Sequence, residues 1–313
     1  MSYTLVTGAR GFIGRHLVAR LAQRNHEVIG IGHGDCSERE FELSGLKAWI
    51  DADISAPSLL KLLKERGVPE NIFHLAGGSS VGAAFVDPQG DYSRTVTSTA
   101  ILLEWMRCHA SMTRLVVVSS AAVYGSGHEG GINEQAQLTP FSPYGAHKLM
   151  MEILCQSYAT NFDLQIVIPR LFSVYGTELR KQLLWDLCNK LNLDDDIELG
   201  GSGDELRDWT HISDVVLGLE AAVEMASNIV PVLNLATGIA TPVAEIAAMV
   251  AAQWDGPDAR HRLSFSGVAR AGDPFSLVAD ISVMQERGFV CAKSLAPGIA
   301  EYVAWFRKQQ DSD

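Results

Sequence analysis

A chain of 313 residues with a hydrophobic share of 47% is long enough for one large α/β domain and a smaller partner, each with its own core. Its formal charge of -12 sets it against nucleic acid and anionic membranes, so a phosphorylated ligand has to be met by local cations. Five scattered cysteines (Cys36, Cys108, Cys155, Cys188, Cys291) without a CxxC pair argue against a disulfide framework or a zinc site, and no His, Asp or Glu spacing suggests another metal. The opening MSYTLVTGARGFIG lacks a basic leader, and no run reaches the roughly 18 apolar residues of a membrane span, so a cytoplasmic enzyme is expected.

Short β-branched runs alternate with amphipathic segments from the start, the pattern of a parallel sheet covered by helices on both faces. Strands are expected at Tyr3 to Thr7, Glu27 to Ile31, Ala48 to Ile50, Asn71 to Leu75, Arg114 to Ser119 and Leu164 to Pro169. The helix-like stretches between them run from Gly11 to Arg24, Pro57 to Arg66, Tyr92 to His109 and Tyr144 to Asn161. This order predicts a doubly wound Rossmann sheet with ligands at the carboxyl ends of the strands. After Pro169 the alternation weakens, and LGGSGDELRDW has the glycine and charge of loops. Residues 1–170 with about 230–250 are expected to form the dinucleotide-binding domain, the latter through a returning strand in Val230 to Gly238. A smaller, partly discontinuous substrate domain is expected from about 171–229 and 251–313.

In VTGARGFIG, Gly8, Gly11 and Gly14 lie between the first strand and first helix, with Phe12 and Ile13 opening the helix. Glycines there let the backbone approach a pyrophosphate, which the free N–H groups of the helix start then bind. A dinucleotide site usually has an acid at the end of the second strand, to hold the adenosine ribose. Gly32 occupies that place, and His33 or Arg39 can neutralise a 2′-phosphate, which favours NADP(H) over NAD(H) unless Asp35 reaches in. Asp53, followed by Ile54, reads either as an acceptor for the adenine amino group or as a helix cap. Leu75, Ala76 and Gly77 close the fourth strand and complete the cofactor set.

Tyr144 and Lys148 in SPYGAHK are four apart and share a helix face, so an ammonium can favour the phenolate as an acid/base near neutral pH. Ser120 ends the fifth strand, where its hydroxyl can donate to and accept from the same substrate oxygen. His74, in an apolar strand, reads as a satisfied core residue, and His147 is expected to face away from Lys148. The runs AILLEWM and LMMEILC read as core or as a dimer face.

Taken together, TGARGFIG, DADIS, FHLAGGSSVG, VVVSSAAVYG, SPYGAHK, PRLFSVYG, RDWTHISDV, NLATG and RAGDPFSLVAD stand in the order found in the extended short-chain dehydrogenases, and the chain resembles the nucleotide-sugar epimerases, dehydratases and reductases among them. The resemblance implies a Ser120, Tyr144 and Lys148 triad, with Lys148 also on the nicotinamide ribose. It further implies a nucleotide-diphosphate sugar held by Arg207 and Arg270, whose guanidinium forks suit phosphate oxygens, with Ser79 and Ser80 as further substrate contacts and Ser173 a candidate at a place where relatives commonly carry Asn. Relatives commonly pair two helices in a homodimer.

Departures from the family pattern narrow the activity. Where dehydratases carry an Asp and Glu pair, this chain has Ala121 and Ala122, and a methyl group moves no proton. Gly32 favours an NADPH-dependent 4-ketoreductase of a 4-keto-6-deoxy sugar nucleotide. The alternative is a 4-epimerase that retains NAD. A dinucleotide-binding regulator without catalysis is a third reading, opposed by the intact triad.

Overall fold

The computed structural model describes residues 2–34, 36–193, 196–256, 262–268, 272 and 274–310. The chain divides into two compact units: Met1–Gly125, Ala136–Leu171 and Val216–Asn234 form the first, and Ser126–Gln135, Phe172–Val215 and Leu235–Asp313 the second.

The first unit is built on a sheet whose strands are β1 (Thr4–Thr7), β2 (Val28–Gly32), β3 (Ala48–Asp51), β4 (Asn71–His74), β5 (Arg114–Val117), β6 (Ser119–Ser120) and β7 (Gln165–Leu171). Its order is β3-β2-β1-β4-β5-β7, then the strand Val232–Leu235, with β6 also on β7. The pairings from β3 to β7 are parallel. Every residue of β1 and β4 is buried, as expected of strands covered on both faces. Helices α1 (Phe12–Gln23), α2 (Glu38–Ser44), α3 (Ala56–Arg66), α4 (Val81–Val86), α5 (Pro88–Tyr92), α6 (Ser98–His109) and α7 (Pro143–Phe162) follow in order. Apolar stripes recurring at three and four residues, Leu17, Val18 and Leu21 on α1 and Met151, Cys155 and Ala159 on α7, turn these helices inward. The chain reverses direction across the sheet between β1 and β4, which opens a crevice at their carboxyl ends.

Three local features depart from the sequence expectation. The fifth strand breaks after Val117 and resumes as β6 on β7. The helix expected from Tyr92 is preceded by α5 and passes through a π-helical turn at Ser93–Thr97 before α6. Helix α2, absent from the sequence reading, is fixed by a capping box between Ser37 and Glu40 and ended by Gly45 at φ 82°.

The second unit holds the parallel pairs Ser173–Tyr175 with Trp209–His211 and Ile197–Leu199 with Leu263–Phe265. Its main helices are Gln182–Leu193, Val243–Asp255 and Leu295–Gln310. The boundaries differ from those expected: residues 216–229 belong to the first unit and helix Val243–Asp255 to the second. Glycine-rich composition marks loops, but it does not say to which core a following helix packs. Among the described residues, no helix is long and apolar enough to cross a membrane.

Candidate active site

The glycine loop leaves β1 at its carboxyl end. Gly8 adopts φ 67°, and a Cβ on it would meet the Ala76 nitrogen at 3.0 Å. A Cβ on Gly14 would come within 2.1 Å of the Gly8 oxygen, so α1 can start this close to the strand only with glycine. The N-cap Gly11 offers no side-chain acceptor and the first turn of α1 holds no acid. Uncapped N–H groups at the positive end of a helix are what a dinucleotide pyrophosphate requires, and the cradle fits that group. Phe12 and Ile13, half-buried, begin the helix. Leu75 and Ala76 across the crevice both donate their backbone N–H to Thr7 Oγ1 at 3.1 Å.

At the end of β2, Gly32 is in register with Asp51 on β3, and parallel register puts their side-chain positions on the same face. Asp51 Oδ1 accepts the Gly34 N–H at 3.3 Å. His33 Nε2 donates to Asp53 Oδ1 at 2.8 Å, and both side chains are exposed. Ile54, the next residue, is buried in the core. Arg39 lies exposed on α2. The cation at this edge is instead Arg10, which sequence reasoning missed: its guanidinium donates to the Gly34 carbonyl at 2.7 Å, lies 5.7 Å from the Trp49 ring centre and pairs with Glu40 at 3.4 Å. Ser37 bonds hold the Glu40 carboxyl below its usual value. Asp35 lies outside the described residues.

Helix α7 begins with Ser142 accepting the Gly145 N–H and Pro143 in its first turn. A Cβ at Gly145 would approach the Ala122 oxygen to 2.5 Å, so this glycine lets the helix start close against the turn after Ser120. Tyr144 is thereby brought beside Ser120; burial pushes its phenol above the usual value, and the Ser120 hydroxyl works against that. Ser120 also caps its own turn by accepting the Ala122 N–H. One turn on, Lys148 is buried, with Nζ donating to the Val118 carbonyl at 2.8 Å and lying 5.9 Å from the Tyr144 ring centre. Burial pulls its ammonium down to about 8, while the Asp91 carboxylate, then Glu152, pushes it back up. A Cβ on Gly77 would sit 3.5 Å from this Nζ. The structure thus joins Ser120, Tyr144, Lys148 and Gly77 in one place.

Behind this group, Glu152 takes a bidentate pair from Arg170 at 2.7 and 3.0 Å and accepts the Ser119 hydroxyl. His147, expected to face elsewhere, instead reaches Asp91 beside the triad, with Nδ1 2.6 Å from Oδ2. Ser80 caps α4 through the Ala83 N–H, and Ser79 beside it is exposed. In the second unit, Ser173 is half-buried on its strand. Arg207 is buried and gives Nη1 to the carbonyls of Leu206 and Phe275 at 2.8 and 3.1 Å, so part of its fork is committed to the backbone. Arg270 lies outside the described residues.

The profile of the NAD dependent epimerase/dehydratase family matches residues 4–236. The chain is 32% identical to an uncharacterized UDP-glucose epimerase, YtcB, of Bacillus subtilis, over 96% of each chain. It is 30% identical to a UDP-glucose 4-epimerase of Mycolicibacterium smegmatis, over 98% of this chain and 99% of that one. Among solved structures, MoeE5 in complex with UDP-glucuronic acid and NAD superposes with a TM-score of 0.86 at 31% identity, over 98% of this chain and all of the other (100%). The chain belongs to the NAD-dependent epimerase/dehydratase family. As an enzyme it falls among the NAD(P)-dependent nucleotide-sugar oxidoreductases and epimerases with a Ser–Tyr–Lys set.

Proposed function

We propose that this enzyme is a 4-epimerase of a UDP-sugar that works with retained NAD(H). The observation that carries the reading is the Tyr144 phenol beside Ser120 and one turn from Lys148, with Ala121 and Ala122 after Ser120 where dehydratases carry an acid and base pair. A single proton carrier is enough for epimerisation at C4 and insufficient for dehydration. Tyr144 takes the proton of the 4-hydroxyl and later returns it to the 4-ketone oxygen, while Ser120 fixes that oxygen. Lys148 lies where it can hold the nicotinamide ribose and offset the phenolate charge. NAD held there would supply a hydride acceptor and donor at C4, the chemistry by which that centre can be inverted.

The NADPH-dependent ketoreductase expected from Gly32 gives way to this alternative. The relatives named above are UDP-glucose epimerases and MoeE5 is bound to NAD, which supports the epimerase reading over the reductase. The preference for NADP considered position 32 alone. The sheet register brings the Asp51 carboxylate beside it, and with Asp53 and Glu40 nearby the edge opposes a 2′-phosphate despite Arg10. In this reading Asp51 accepts the adenosine ribose hydroxyls, with Gly8, Gly11 and Gly14 on the pyrophosphate. Arg207 and Arg270 remain proposed diphosphate contacts, and Ser79, Ser80 and Ser173 proposed sugar contacts. A homodimer is also proposed, because Met150 and Ile153, neighbours one turn apart on α7, are apolar and exposed.

Denaturing freshly purified protein and weighing the released nucleotide tests the proposal. It expects NAD or NADH at near one per chain. NADP or an empty site would return the reductase to the lead.

A further inference from the structure

Lys148 is a buried ammonium, and two carboxylates act to keep it charged, Asp91 more strongly than Glu152. Glu152 is already engaged by Arg170 and Ser119. Asp91 stands on α5, 1% exposed, and its charge-assisted bond is to His147, the residue before Lys148. The imidazole, 12% exposed, is held edge-on against the Tyr92 ring at 5.5 Å. From the other side, Asp91 Oδ1 fills the space that a side chain at Gly78 would need, 1.8 Å from an ideal Cβ. The carboxylate is therefore fixed by α7 on one side and by the loop after β4 on the other. That same loop borders Lys148 Nζ through Gly77. The other titratable groups acting on or near the ammonium are Tyr144, Glu152 and Cys155 on its own helix and His74 on β4. Arg94, three residues after Asp91, pairs with the exposed Asp87 at 3.5 Å.

We propose that Asp91 and His147 are a positioning pair for the active site: the imidazole anchors the carboxylate, which serves as the counter-ion that holds the Lys148 ammonium in place beside Tyr144. The pair needs no contact with substrate or cofactor for this role. It acts through Lys148 and Tyr144, and so rests on the reading of Tyr144 as the acid/base.

Two measurements on the full chain test it. In the first, the Lys148 side chain is titrated by NMR on protein labelled at lysine Cε, with the resonance assigned from Lys148→Arg. Asp91→Asn should lower the Lys148 midpoint by about one pH unit, because it removes a nearby opposite charge. This readout does not depend on turnover, so it stays valid if the epimerase reading fails. In the second, His147→Ala should lower kcat about tenfold at little change in KM, and move the alkaline limb of kcat to lower pH. His147→Asn, which can place an N–H near the lost Nδ1, should restore most of both. If Asp91→Asn does not fold, the titration is read on His147→Ala, where a smaller downward shift is expected. An unchanged Lys148 midpoint, or a His147→Asn variant no better than His147→Ala, overturns the proposal.

Discussion

Thr7 Oγ1 and His74 Nδ1 lie 2.9 Å apart at the carboxyl ends of β1 and β4, paired across the register. Thr7 Oγ1 already accepts the N–H groups of Leu75 and Ala76, so its own hydrogen is donated to Nδ1. The imidazole then carries its proton on Nε2, which donates to Thr99 Oγ1 at 3.0 Å, and Thr99 donates to the Thr95 carbonyl at 2.6 Å. Thr95 Oγ1 in turn accepts the Gly78 N–H at 2.8 Å. One neutral histidine thus ties both sides of the crevice to the π-helical turn. Burial, with the Lys148 charge adding to it, holds His74 at about 3. Its value is lowered on folding, so its contribution is fully present above about pH 6.5 and is lost as pH falls towards 3, at about 1.4 kcal/mol per pH unit. Between pH 6.5 and 5 the loss should be about 2 kcal/mol. Urea unfolding of wild type and His74→Asn at both values checks this: the variant should show the smaller drop.

The Glu152–Arg170 pair makes a second stability prediction. Glu152→Gln leaves a guanidinium that is 2% exposed without its counter-charge, and should cost about 3–5 kcal/mol in urea unfolding. A loss below about 1 kcal/mol would mean that the pair is not what anchors α7 to β7.

Tyr144→Phe removes the proton carrier and leaves the glycine cradle intact. Turnover should fall by about 10² to 10⁴ with retained NAD unchanged. Lys148→Ala should lose both rate and cofactor affinity, since its ammonium serves both. Retention of NAD by the purified variants, set beside their kcat, separates the two roles.

Asp51→Asn should weaken NAD binding about tenfold and narrow the gap between NAD and NADP, as expected for loss of one charged hydrogen-bonding partner. Calorimetric titration of both dinucleotides into stripped protein gives the two constants. An unaltered ratio would remove Asp51 from the ribose site.

Much of this was legible in the sequence. The strands, the glycine turn and the Tyr144–Lys148 spacing are local patterns, and local patterns survive folding. What escaped was set by register or by distance along the chain. Asp51 comes beside Gly32 only through the β2–β3 pairing. Asp91 and His147 meet from positions 56 residues apart, and helical spacing alone pointed His147 away. Arg10 looked like loop filler until the turn brought it to Gly34. Ser80 carries a helix-capping bond that a strand-end serine does not announce.

The most direct test of the central claim is to incubate the purified protein with UDP-glucose, and separately with UDP-glucuronic acid, without added cofactor, and to follow C4 by proton NMR. The account predicts that one of them is converted to its C4 epimer up to an equilibrium ratio, with no net accumulation of NADH. It would be contradicted by the absence of any epimer together with steady NADPH oxidation on a 4-keto-6-deoxy sugar nucleotide.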